Sequence, residues 1–208
     1  VVPKGACDGL YVTTSGVGVI PAARAISITA AQPGDVVLVN GTLGDHGAAI
    51  LCARGDLALD VAIASDCAPL GGLVEALLAA APNTRSLRDA TRGGVAGVLS
   101  ELAEASNVSL TLDETTLPVR PDVVGVCEIL GLEPLFLANE GKLVAVVPQA
   151  EAEAALAALH AHPLGRQAAV IGTVAQAGPH GPAVVLRNAF GGRRTVARPA
   201  GEQWPRIC

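Results

Sequence analysis

The sequence predicts an α+β domain in which helices pack on a mixed sheet. Helical and strand periodicities are interleaved along the chain without strict βα repetition, which argues against a doubly wound parallel sheet. Half of the 208 residues are apolar but only 2% are aromatic, so the core must be built from Val, Leu, Ile and Ala. The length suits one large domain, or a complete domain plus a piece of another.

Residues 10–20 alternate loosely and are rich in Val and Thr, which predicts a strand. A domain boundary follows at 20–32, with that first strand belonging to a neighbouring unit. "QPGD" is a turn into the apolar strand "VVLV". "NGTLGDHGAAILCARG" is a glycine-rich loop and a short helix from about Asp45, which is set as its N-cap, to Gly55. An Ala/Leu helix spans 69–81, stopped by Pro82 and Asn83. Apolar residues at 95, 98, 99, 102 and 103 form a helical stripe, placing 89–94 in a loop that feeds a helix N-terminus. "VSLTLD" is a strand, 120–130 a helix, "EGKLVAVVP" a strand entered through a turn, and "QAEAEAALAALHAH" a helix with an acidic first turn. "AAVIGTV", "PAVVL" and "RRTVA" close the sheet. The tail "RPAGEQWPRIC" has two prolines, a glycine and no period, and is expected to be mobile.

Fourteen basic against nineteen acidic residues give a net charge of −5 without a run of either sign. A basic footprint for nucleic acid or a membrane surface is therefore absent from the sequence. The apolar stretch "VEALLAAA" is far too short for a transmembrane helix. Methionine is missing, even at position 1. The expectation is the carboxy-terminal part of a longer protein, with initiator removal exposing Val1 as the rival explanation. Five cysteines, at 7, 52, 67, 127 and 208, form no C-x-x-C pair and no zinc spacing. The scatter fits a reducing cytoplasm.

Three features carry chemistry. "RDATRGG" opens a helix, where backbone N–H groups and the helix dipole suit an anion and Arg92 adds a bidentate donor. The alternative is an ordinary helix entry capped by Asp89 or Thr91. "GTLGDHG" offers the same choice, with His46 as an exposed histidine. Glu140, in "ANEGKLVAVV", sits where a buried strand begins; such a carboxylate can gain a raised pKa and act as a base, or be a solvated turn acid. Cys208, the last residue, has an exposed thiol on an arm that spans roughly 30 Å when extended. It is either an accidental surface cysteine or a covalent carrier that ferries a group to a distant active site.

Taken in order, "GDVVLVNGTLGDHG", "RDATRGG", "NEGKL" and the terminal "PRIC" resemble the HypE family of hydrogenase maturation proteins. Its relatives are the aminoimidazole ribonucleotide and selenophosphate synthetases. The resemblance implies a three-layer α/β/α carboxy-terminal domain over 21–198. Residues 1–20 would be the last strand segment of an amino-terminal nucleotide-binding domain, and 199–208 the arm carrying Cys208. It implies ATP-dependent dehydration of an S-carbamoyl group on Cys208 to a thiocyanate, the source of the cyanide ligand of [NiFe] hydrogenase. Glu140 would take the proton and Lys4 would stabilise anionic oxygens, while Thr91, Arg92, Gly93 and Gly94 would lie on the phosphate side. ATP with Mg²⁺, a HypF-type carbamoyltransferase, a HypC–HypD scaffold and a homodimer of the full-length protein are the implied cofactors and partners. Most of the nucleotide site would lie in the amino-terminal domain, so this chain alone is expected to bind ATP weakly or not at all. Two other readings remain: a docking module that presents the tail without catalysing, and a superfamily synthetase for selenophosphate or purine precursors.

Overall fold

A computed structural model describes residues 15–21, 24–54 and 62–198. Seven strands form one sheet: β1 (Asp35–Val39), β2 (Ser86–Asp89), β3 (Val108–Asp113), β4 (Leu143–Pro148), β5 (Ala169–Gln176), β6 (Ala183–Arg187) and β7 (Arg193–Thr195). Their order is β2-β4-β1-β5-β3-β6-β7. The β3–β6 pair is parallel and every other pair antiparallel. The expected mixed sheet is present.

Five helices accompany it: α1 (Asp45–Arg54), α2 (Gly71–Ala80), α3 (Gly94–Ser106), α4 (Pro121–Leu130) and α5 (Ala152–Ala161). In β1, Val37 and Val39 face a core shared with Val95, Leu99 and Leu102 of α3. Val36 and Leu38 face the opposite way, onto Leu73 and Leu77 of α2 and Leu159 of α5. Both faces of the sheet are covered, giving three layers. This is why β1 and β4 read as unbroken apolar runs although their pairing is antiparallel. Beside this stack, α1 and α4 close a satellite core in which Ala48, Leu51, Val123 and Val126 surround Leu137.

Two expectations change. Residues 15–20, the described part of the expected first strand, form no strand, and Val17, Val19 and Ile20 are exposed. Residues 10–14 lie outside the described residues. In contrast, Asp89 belongs to β2 rather than to a loop. This strand is four residues long and polar, and it pairs only with β4, at the sheet edge. A short polar edge strand leaves no period-2 apolar signal.

Candidate functional site

Three of the quoted motifs meet at Asn139. Its side chain is fully buried. Asn139 Oδ1 accepts the Gly44 N–H at 2.8 Å, while Nδ2 donates to the carbonyls of Ala90 at 2.9 Å and Leu137 at 3.1 Å. The backbone repeats these links: Asn139 N–H donates to Ala90, Ala90 N–H to Lys142, and Gly47 N–H to Ala138. One amide side chain thus ties the loop before α1, the loop before α3 and the turn into β4 to each other.

The turn at 139–143 is held at almost every residue. Asn40 Nδ2 donates to the Gly141 carbonyl at 3.2 Å, and Asn40 Oδ1 accepts the Leu143 N–H at 2.8 Å. A Cβ on Gly141 would fall 1.8 Å from the Asp66 carbonyl oxygen, so no side chain fits there. Lys142 is buried, with Nζ 2.8 Å from Asp66 Oδ2 and 3.7 Å from Asp45 Oδ2. Asp66 Oδ1 accepts the Glu140 N–H at 3.0 Å. Among these residues Glu140 alone is exposed. Of the two alternatives for Glu140, burial at the strand entrance and a solvated turn, the structure shows the second, on a turn held by its neighbours.

Asp45 does not act as the expected N-cap. It lies in the first turn of α1, and its Oδ2 accepts the Thr42 hydroxyl at 2.5 Å and faces Lys142. Its Oδ1 is buried without a hydrogen-bond partner among the described residues. A buried ammonium beside two carboxylates draws this side chain inward, away from the helix N–H groups.

Next to Lys142 opens a cleft of about 480 Å³ bordered by Asn40, Thr42, Asp66, Cys67, Lys142 and Arg166. On the Cys67 side, Ser65 Oγ is 2.9 Å from His46 Nδ1 and donates to Cys67 Sγ at 3.2 Å. In the other loop, the Thr91 hydroxyl donates to Asp89 at 3.3 Å and Arg92 is exposed. Gly93 is the N-cap of α3 with a φ of 80°, and Gly94 follows at 59°. A Cβ on Gly94 would meet the Leu135 and Leu137 carbonyl oxygens at 2.5 Å. Lys4 and Cys208 lie outside the described residues.

The sequence reading missed Asn40, Asp66, Asn139 and Lys142. Asn139 and Lys142 stood inside the quoted "NEGKL", flanking the acid that drew attention. Asp66 had only its place in a Pro-bounded "SDCAP" to mark it.

The cysteines differ in reactivity. Burial pushes the Cys127 thiol up to about 11 from an ordinary 9.0, whereas Cys67 is exposed. At pH 8, iodoacetamide is expected to label Cys67 in native protein and Cys127 only after unfolding, read by peptide mass spectrometry. The stabilisation from keeping Cys127 neutral is complete below about pH 9 and is lost as the pH rises toward 11.

The family profile described as AIR synthase related protein, C-terminal domain, matches residues 32–184, from the turn before β1 into β6. The chain belongs to this family. The matched stretch of the AIR synthase related domain contains every contact of the Asn139 and Lys142 networks. The domain is 58% identical over 209 residues to carbamoyl dehydratase HypE of Rhodobacter capsulatus, an alignment taking in 100% of this chain and 61% of that protein. It is similar to the crystal structure of hydrogenase maturation protein HypE in complex with ATP, with a TM-score of 0.81 and 43% identity. That match covers 88% of this chain and 55% of the other. The crystal structure of a HypE–HypF complex gives 0.79 and 44% identity, covering 84% and 56%. The resemblance to HypE drawn from the motifs is borne out, as is the α+β fold. The chain spans about three fifths of the length of the curated relatives it matches. Among the described residues of the AIR synthase related domain, no helix is long and apolar enough to cross a membrane.

Proposed function

We propose that the protein to which this chain belongs is a cytoplasmic, ATP-dependent carbamoyl dehydratase of [NiFe] hydrogenase maturation that acts on its own Cys208. The observation that carries this reading is the 58% identity, over the whole chain, to a protein named carbamoyl dehydratase HypE. Glu140, presented on a turn fixed on both sides, supplies the matching chemistry. In the proposed reaction a carbamoyl group on Cys208 Sγ is phosphorylated on its oxygen by ATP. Loss of that oxygen as phosphate, with removal of the two N–H protons, leaves a thiocyanate, ADP and inorganic phosphate. An amide oxygen leaves poorly and a phosphorylated one readily, so the protein has to hold the nucleotide and accept a proton. Glu140 takes a nitrogen proton in this scheme, and Lys4 stabilises the anionic oxygens.

Thr91, Arg92, Gly93 and Gly94 are assigned to the phosphate side. Arg92, an exposed residue just before the 13-residue α3, brings a positive charge to a helix N-terminus that suits an anion. Gly94 fits less directly, because the space its missing side chain leaves is filled by its own chain. Mg²⁺ arrives with the nucleotide in this reading. Residues 1–20 complete a preceding nucleotide-binding domain, 21–198 form the layered domain, and 199–208 act as the arm. A HypF-type carbamoyltransferase loads Cys208, and a HypC–HypD scaffold receives the cyano group for the hydrogenase iron. The full-length protein acts as a homodimer.

Mass spectrometry of full-length protein tests the scheme. With the carbamoyltransferase, carbamoyl phosphate and ATP, a cyano adduct is expected on Cys208 and on no other cysteine. A Cys208→Ala protein that still gains the adduct removes the carrier assignment. A tail that stays carbamoylated despite ATP favours a docking module over an enzyme.

A further inference from the structure

We infer that Asp66 is the positioning residue for Glu140, a role that rests on Glu140 being the base of the proposed reaction. The acid's neighbours are fixed from the buried side: Asn139 by three side-chain hydrogen bonds, Gly141 by Asn40, and Lys142 by its ion pairs. None of those contacts acts on Glu140 itself. Its own N–H donates to Asp66 Oδ1 at 3.0 Å, a carboxylate brought from 74 positions away.

The other oxygen of that carboxylate, Oδ2, takes the Lys142 ammonium at 2.8 Å. One side chain, 4% exposed, therefore bridges residues 140 and 142 and fixes the peptide between them. The backbone of the same residue closes over the turn, since the Asp66 carbonyl occupies the place where a side chain on Gly141 would begin. Both contacts restrict the φ and ψ angles that aim the Glu140 side chain. A hydrogen bond from a backbone N–H to a carboxylate is among the stronger ones, and here the accepting side chain is itself held by the Lys142 ammonium. Lys142 offsets the negative charge of Asp66, whose Oδ1 accepts the Glu140 N–H. Asp66 touches no reacting atom; its part is to hold an exposed base in one orientation.

The test uses full-length protein carbamoylated on Cys208. In the wild type, the Glu140 amide must exchange with solvent deuterium more slowly than an unstructured peptide reference, although the residue is exposed; an unprotected amide overturns the clamp with no variant needed. In Asp66→Ala that amide is expected to exchange roughly tenfold faster or more. The single-turnover rate of dehydration should fall about ten- to hundredfold, as expected for a misaimed catalytic group, with KM for ATP unchanged. Asp66→Asn keeps a carbonyl able to accept the same N–H. It should preserve amide protection and most of the rate, while its melting temperature reports separately the weakened pair with Lys142. Faster exchange in Asp66→Ala with an unchanged rate overturns the positioning role. If Glu140→Gln turns over at the wild-type rate, the base assignment fails and the positioning role falls with it. The exchange data still decide independently whether Asp66 holds the turn.

Discussion

In the full-length protein, replacing the proposed base Glu140 by glutamine is expected to lower the single-turnover rate of Cys208 dehydration by about 10²- to 10⁴-fold, the range for loss of a positioned general base. Glutamine keeps the size and the hydrogen-bonding oxygen but cannot take a proton. The fold should be untouched, because the side chain is exposed and the turn is held by its neighbours. Surface substitutions of this kind change stability by no more than about 0.5 kcal/mol. Loading of Cys208 by the carbamoyltransferase precedes the proton transfer and should proceed at the normal rate. The variant is therefore expected to accumulate carbamoylated protein, seen as a persistent mass adduct on the terminal peptide in the presence of ATP. A variant that forms the thiocyanate within a few-fold of the wild-type rate would remove Glu140 from the reaction and leave the carboxylate as a solvated turn acid.

The parts of this molecule that were legible in its sequence are those governed by local period. The runs "VVLV" and "KLVAVV" read as buried strands, the stripe at 95, 98, 99, 102 and 103 reads as one face of a helix, and the structure has them so. The strand Ser86–Asp89 was hidden because it contributes four residues to an edge, with Leu87 its single apolar side chain. The candidate site was legible in a different sense. Its motifs could be found, but the residues that join them could not. Asn40 meets Gly141 across 101 positions, and Asp66 meets Lys142 across 76. Contacts at such separations leave no trace in local spacing, and an Asn or Asp in a loop reads first as a turn former. Asp45 illustrates the limit. Its position at the start of a helix was readable, but its turn toward Lys142 was set by a residue almost a hundred positions later.

Gly94→Ala is expected to cost about 3 kcal/mol of stability, because two penalties coincide at this residue. The φ of 59° is left-handed, which disfavours any residue with a Cβ by roughly 1–2 kcal/mol. The new methyl would also meet the Leu135 and Leu137 carbonyl oxygens at 2.5 Å, so either α3 or the segment carrying Leu137 must shift. That segment also forms the satellite core and leads directly into Asn139, so the strain reaches the turn that presents Glu140. For a domain of this size the loss corresponds to a fall in melting temperature of roughly 6–12 °C. Gly71→Ala is the control: it lies at the start of α2, with open space around its Cβ position, and should change stability by less than about 1 kcal/mol in either direction. The paired glycines of "RDATRGG" can serve close packing or the close approach of a phosphate, and the comparison separates the two. If the pair exists for close packing, Gly94→Ala lowers the melting temperature whether or not nucleotide is present. If it exists to admit a phosphate, the variant loses only the roughly 1–2 kcal/mol that the left-handed φ costs, and ATP affinity falls in the full-length protein. The two backbone oxygens at 2.5 Å favour the first result for Gly94. Any phosphate contact in this loop then falls to Thr91, Arg92 and the N–H groups that open α3.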